Sequence, residues 1–493
     1  MSEPYAALMA HVKQTTALGQ ISGLLGWDQE TMMPRGASAQ RAEWSGALAS
    51  TMHARRVDPQ IGDWLAAIDD TSLDATAQAN LRHIRRSFAR STKIPADLAA
   101  ALAKLTSKAQ GIWADARAAD DFAAFAPTLR EVLDLARQQA AALAEGGDLY
   151  DALLDGYEPD MTGSRLDDIF GRLRPGLVDL RARIKESGVT APKLDFDFAE
   201  DIQMALSREL AGALGYDWAR GRLDKAVHPF SSGSGTDTRI TTRVDVRNPF
   251  NCFYSTIHEV GHSCYEQSID KAYLLTPLGR GVSMGVHESQ SRIYENQLGR
   301  SRAFCGWLFG RMVDRFGDFG IANEDEFTLL VNAVSAGYIR TESDEVQYNL
   351  HVMLRFDLER ALISGDLQVY DLEAAWNDRF AADFGYPVDK ASNGVLQDVH
   401  WSVGLFGYFP TYSLGNIYAG CLFEALKTNV PELENDLARG ETAGATAWLR
   451  ENVQQFGGLY QPREVIEKAA GRGVSEAPLL AYLEQKFSGL YAL

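Results

Sequence analysis

The stretch from residue 94 to 118, IPADLAAALAKLTSKAQGIWADARA, sets the fold class. Leu98, Leu102, Leu105, Ala109 and Trp113 recur every three or four residues, which draws one apolar stripe along a helix. The next segment, FAAFAPTLREVLDLARQQAAALAEGG (122–147), repeats the pattern with Phe125, Leu129, Val132, Leu133 and Ala136. It stops at Gly146-Gly147, because glycine takes the left-handed C-cap conformation at little steric cost. No linker, internal repeat or charge block interrupts the chain. The expectation is an all-α fold, a single domain over residues 1–493 in which two lobes can flank a groove.

One region breaks the helical rhythm. TDTRITTRVDVRNPF (236–250) is rich in β-branched residues, sets Ile240, Val244 and Val246 among polar neighbours, and ends at Asn248-Pro249. It predicts a short strand or hairpin. A strand edge beside a cleft can hold an extended peptide by main-chain hydrogen bonds. The alternative is a hairpin that never touches a substrate.

The 493 residues are 46% hydrophobic and 23% charged, the profile of a globular chain with a sizeable core. A formal net charge of −18 disfavours phosphate backbones, and no basic cluster offsets it, so no nucleic-acid partner is expected. The N-terminus, MSEPYAALMAHVKQ, lacks the basic start and apolar run of a signal peptide. No segment approaches the roughly 18 uninterrupted apolar residues of a membrane helix. The four cysteines, Cys252, Cys264, Cys305 and Cys421, form no CxxC pair and read as reduced, buried thiols of a cytoplasmic protein.

The chemistry concentrates in FYSTIHEVGHSCYEQ (253–267). His258 and His262, four apart in an HExxH pattern, share one helix face and can reach one ion. Glu259 is turned by about 100° from His258, towards the open coordination position. A catalytic zinc takes three protein ligands and leaves a fourth position free. The histidine of an extended HExxHxxGxxH motif is absent, since residue 268 is Ser268. The third ligand is then expected on a second helix, GVHESQSRIYENQLGR (285–300), from Glu288 or its rival Glu295, seven residues on. Spacing favours Glu288. Two imidazoles and one carboxylate leave a zinc ion Lewis-acidic, with Glu259 as proton acceptor from the attacking water. Amide hydrolysis suits this constellation best.

Further motifs fall in order around it. HPF stands at 228–230, and DxRxT at Asp237, Arg239 and Thr241; HESQ follows at 287–290, IRTESDE at 339–345 and GVLQDVHW at 394–401. With WDQETMMP (27–34) and YDALLDGYEPDMT (150–162), these resemble the carboxypeptidase Taq family of metallocarboxypeptidases over nearly the whole chain. The resemblance implies a helical fold with a deep groove, similar to neurolysin and angiotensin-converting enzyme, with a small sheet beside the active site. It implies a homodimer, a zinc ion that cobalt can replace, and removal of single residues from peptide C-termini. It also implies Glu288, and not Glu295, as the third ligand. Two departures are visible: Ser343 where the IRxxAD pattern has alanine, and Asp160 where the YEPGMT-like run has glycine.

A carboxypeptidase must hold a free carboxylate, and a guanidinium pairs with one bidentately. Arg340, on a predicted helix, is the first candidate, with Arg239 and Arg243 as rivals; the structural alternative for Arg340 is an ion pair with Asp344. His400, Tyr408 and Tyr412 are candidates for steadying the oxyanion, the tyrosines on a Gly- and Pro-punctuated loop. The resemblance puts His228, a substrate-binding candidate, in the HPF motif at the closed end of the groove, and His287 is expected to orient a ligand; for each, a structural role is the equal alternative. Position 292 is arginine, so the carboxylate that often buttresses such sites is missing there. The competing functions are an endo-oligopeptidase or dipeptidyl carboxypeptidase with the same metal chemistry, and an inactive peptide-binding scaffold.

Overall fold

Both apolar stripes are helices, Ala96–Ala119 and Phe122–Ala144. The second buries Phe125, Leu129, Val132, Leu133 and Ala136 and ends at Glu145, left-handed at φ 49°, followed by Gly146 at φ 93°. The computed structural model describes residues 2–493 and is helical almost throughout. Among the described residues, no helix is long and apolar enough to cross a membrane.

Two apolar cores organise the helices. Tyr5, Leu8, Ile61, Ile68, Ala77, Leu81 and Ile84 form a small one near the N-terminus. The large one draws on buried residues from Ala109 to Tyr491. Polar contacts join the two parts: Gln20 donates to Ser234 Oγ at 2.8 Å, and Arg82 to the carbonyl of Leu459 at 2.8 Å. Trp27, of the WDQET run, lies under the guanidinium groups of Arg239 and Arg222, at 4.2 and 4.9 Å from its ring centroid. A groove of about 660 Å³ runs between the parts.

The predicted strand is shorter than its β-branched stretch. It spans Asp237–Thr242, and Arg243–Asn248 forms the turn that delivers Pro249 to the start of the next helix. It is the middle of three strands: Gly221–Lys225 pairs with it in parallel and Ser231–Ser234 antiparallel. Those partners, GRLDK and SSGS, carry no β-branched residue and gave no strand signal. The sheet rests on the Pro249–Ser268 helix, where Thr242 Oγ1 donates to the Cys252 carbonyl at 2.8 Å and Ser231 and Ser263 share a hydroxyl hydrogen bond of 2.8 Å.

Candidate metal centre

Proline at its first position and a favourable apolar face start the Pro249–Ser268 helix, which carries His258, Glu259 and His262. A second helix, Met284–Arg292, crosses it and presents Glu288. Two glycines permit the approach. A Cβ on Gly261 would lie 2.5 Å from the Gln290 carbonyl oxygen, and one on Gly415 would lie 2.4 Å from Glu288 Cγ. The Glu288 helix is therefore clamped from both sides, by the HExxH helix and by the helix Pro410–Asn429.

The three donors converge. Glu288 Oε2 lies 3.6 Å from His262 Nε2 and 3.9 Å from His258 Nε2. All three candidate donor atoms fall within 4.8 Å of one another. A tetrahedral ion with bonds of about 2.0–2.2 Å needs donors about 3.3–3.6 Å apart, so the set fits a divalent metal after small adjustment. The other ring nitrogens point away: His258 Nδ1 donates to Glu295 Oε2 at 2.9 Å, and His262 Nδ1 lies 2.6 Å from His287 Nδ1. His287 Nε2 in turn reaches Glu266 Oε1 at 3.0 Å. Arg292 Nε donates to Glu288 Oε1 at 2.7 Å, which leaves Oε2 facing the histidines.

Glu295 orients an imidazole instead of joining the donor set. The Glu288 helix continues as a π-helix over Ile293–Leu298, and the wider turn rotates Glu295 off the Glu288 face to meet His258. Burial would raise its carboxyl, but Arg292, His258 and Arg300 hold it well below the usual range. Glu259 is buried beside the donors, and burial pushes its carboxyl up to about 7, with Glu288 and Glu295 adding to the rise against His258.

A second cluster stands next to this one. Arg340 belongs to a single 3-10 turn, Arg340–Glu342, where a longer helix was expected. Its partner is Asp398 and not Asp344: Nη2 donates to Asp398 Oδ1 at 2.8 Å and Nη1 to the Tyr348 hydroxyl at 3.1 Å. Asp344 is occupied as N-cap of the Glu345–Ser364 helix. Asp398 also accepts from Arg355 Nε at 2.6 Å, so two buried arginines share one carboxylate. Burial would raise that carboxyl, yet the two arginines keep it far below the usual range. His400 shares a 3.2 Å hydrogen bond with the Tyr412 hydroxyl and is pushed down to about 4 by burial, hence neutral.

Tyr408 lies on the loop and Tyr412 in the first turn of the Pro410–Asn429 helix, one turn before the Gly415 that touches Glu288. Burial pushes Tyr408 up to about 12 and also raises Tyr412 well above the usual tyrosine value, so both keep a proton to donate. Tyr157 packs edge-on against Tyr408 at 5.0 Å. The loop is anchored from below by Glu359, which accepts from Gly407 N at 3.0 Å, Trp401 Nε1 at 2.9 Å and the Tyr150 hydroxyl at 2.8 Å. Glu158 anchors the other side, accepting from Gly285 N at 2.9 Å at the start of the Glu288 helix. Glu158, Glu359, Glu266, Arg292 and Arg355 gave no individual signal in the sequence.

Among the described residues, neither His228 nor Arg239 shares a hydrogen bond or ion pair with either cluster. His228 is exposed in the turn between two strands, and Arg239 is committed to Asp237 at 2.8 and 2.9 Å and to the Trp27 ring. Arg243 is exposed. Asp160 adopts φ 65°, the left-handed conformation that explains a preference for glycine there.

Known proteins match over nearly the whole chain. Residues 7–487 match the carboxypeptidase Taq (M32) metallopeptidase family. The chain is 40% identical to thermostable carboxypeptidase 1 of Thermus thermophilus, across 99% of both chains, and 33% identical to carboxypeptidase 1 of Bacillus subtilis, across 98% of this chain and 97% of that one. It superposes on the crystal structure of the M32 carboxypeptidase of Deinococcus radiodurans R1 with a TM-score of 0.96 at 39% identity, over 100% of each chain. Against Trypanosoma cruzi metallocarboxypeptidase 1 the TM-score is 0.96 at 34% identity, over 98% of this chain and 99% of that one. The mostly helical fold with its small sheet is thus that of the M32 carboxypeptidases, and the chain belongs to the carboxypeptidase Taq (M32) family of metallopeptidases.

Proposed function

We propose that this chain is a metal-dependent carboxypeptidase that removes single residues from peptide C-termini, with His258, His262 and Glu288 holding zinc. The observation that carries the reading is the convergence of those three donors with both remaining imidazole nitrogens tied off behind them. When bound, the cation supplies Lewis acidity to the attacking water and the scissile carbonyl; cobalt offers the same donor preference.

The protein does the rest. Glu259 takes a proton from water and returns it to the leaving amine. Tyr408 and Tyr412, both half-buried, donate to the developing oxyanion. Arg340 and Arg355 share a single Asp398, so one positive charge is left over where a substrate carboxylate can settle. Two N–H groups of Arg340 remain for that purpose.

The groove between the two cores supports a deep-cleft, two-lobed single domain of the neurolysin and angiotensin-converting enzyme kind. A cytoplasmic setting draws support from four buried, unpaired cysteines. The homodimer rests on family likeness, and sedimentation tests it. For the activity itself, mass spectrometry of products from a peptide with a free or an amidated C-terminus, with and without chelator, is decisive. Stepwise loss of single C-terminal residues is expected only from the free peptide without chelator. Internal cleavage or release of dipeptides would transfer the chain to the endo- or dipeptidyl type.

A further inference from the structure

The charged groups lining the 660 Å³ groove are Arg55, Arg56, Arg280 and Glu266. Three of the four are positive, in a chain whose net charge is −18. Glu266 Oε1 accepts from His287 and from Gly281 N, and its carboxylate is the one negative charge that acts on Arg280 from the lining. Arg55 is tied to the His11 carbonyl at 2.8 Å and to Thr15 Oγ1 at 2.9 Å. Among the described residues, neither Arg56 nor Arg280 has an ion-pair partner within 4.0 Å. They come from opposite walls, Arg56 from the part with the small core and Arg280 from the part with the large one. His83, also in the lining, is pushed down to about 4 by burial and adds no charge at neutral pH.

We propose that this groove is an anion-binding subsite that selects peptides with acidic side chains upstream of the residue to be removed. The assignment rests on the carboxypeptidase reading for its direction. Along the HExxH helix the order is fixed by contacts. Arg340, Tyr348, Arg292 and Glu295 stand at the His258 end, whereas His287, Glu266 and the groove stand at the His262 end. A substrate with its terminal carboxylate at Arg340 therefore runs its preceding residues into the groove.

Arg56 is exposed, and like charges lining one groove repel each other unless an anion joins them. Burial draws Arg280 below the ordinary arginine range; Glu266 pulls against that fall, and the charges of Arg56 and Arg86 add to it. A carboxylate between the two guanidinium groups converts repulsion into two charge-assisted pairs. Low-dielectric walls also focus the field and speed the capture of anionic substrates.

The test uses metal-loaded enzyme and three matched peptides, Ac-Glu-Glu-Ala-Leu, Ac-Gln-Gln-Ala-Leu and Ac-Lys-Lys-Ala-Leu, with kcat/KM read from released leucine. The Glu peptide should exceed the Gln peptide by about tenfold at low salt, and the Lys peptide should fall below both. The Glu-to-Gln ratio should approach one between about 10 mM and about 0.5 M salt, and in the Arg56→Gln/Arg280→Gln double variant. Equal rates for the three peptides, or a ratio untouched in the double variant, overturn the assignment. A second arm measures binding of fluorescent tetraglutamate and tetraglutamine to the same proteins by anisotropy. Arg280-dependent tetraglutamate binding without leucine release from any peptide would keep the groove and discard the carboxypeptidase reading. Leucine release at one common rate, with no tetraglutamate preference, would do the reverse.

Discussion

The Nδ1 atoms of His262 and His287 lie 2.6 Å apart, so one carries the proton and the other accepts it. A metal-binding Nε2 on His262 must be unprotonated, which places the His262 proton on Nδ1 and makes His287 Nδ1 the acceptor. His287 then carries its proton on Nε2 and donates it to Glu266 at 3.0 Å. One tautomer is thereby fixed along three residues. Replacing His287 by alanine should weaken metal affinity by about 10- to 100-fold, read by chelator competition. Wild-type affinity in that variant would show that the contact orients nothing.

Glu259→Gln keeps the shape and removes the base. Metal content should stay at the wild-type level while kcat falls by about 10²- to 10⁴-fold. Metal analysis and steady-state kinetics on the same preparation check it, and near-normal turnover would require a different proton acceptor.

Glu359 touches no proposed substrate atom, yet it holds the backbone of Gly407, the residue before Tyr408. Its replacement by glutamine puts an NH₂ where at least one N–H or O–H donor needs an acceptor. With the loop loosened, kcat should fall by about 10- to 100-fold while metal content holds. Tyr150→Phe, which removes the donor outside the loop, is the control and should change kcat little. Similar losses from both would point to general core damage.

The same carboxyl makes a pH prediction. Burial raises Glu359 from 4.5 to about 7, against hydrogen bonds from Trp401, Gly407 and Tyr150 and the charge of Arg355. The folded state thus retains a proton that the unfolded chain has already released. The associated stability is complete below about pH 4.5 and is lost as pH rises through about 7. Denaturant unfolding at pH 4.5 and 8 should show wild type losing up to about 3 kcal/mol relative to Glu359→Gln over that span. A constant difference would mean that Glu359 does not titrate there.

Arg340→Ala should collapse the discrimination between free and amidated C-termini, mostly through KM. Asp398 keeps Arg355 as partner, so the scaffold survives the change. Equal damage to both substrate types would remove carboxylate recognition from Arg340.

Local pattern and chemistry were readable where one segment sufficed. The HExxH spacing placed two imidazoles on one face, and the apolar stripes located the helices. What could not be read depends on contacts between distant segments. Arg340 finds Asp398, 58 residues away, while the nearby Asp344 turns to cap a helix. Regular helical spacing kept Glu295 as a rival to Glu288, and the π-turn explains why it meets an imidazole instead. The strands GRLDK and SSGS exist because Asp237–Thr242 recruits them, not through propensity of their own.

The small core around Leu8 and Leu81 shares no side chain with the large one. The seam between the first helices and the rest therefore lies outside both hydrocarbon interiors. The contacts that join them include hydrogen bonds such as Gln20 to Ser234 and Arg82 to Leu459, ion pairs from Arg86 and Arg90 to Asp155, and the Trp27 ring under Arg222 and Arg239. Separating the two parts at that seam would break contacts of this kind, at a free-energy scale far below that of unfolding.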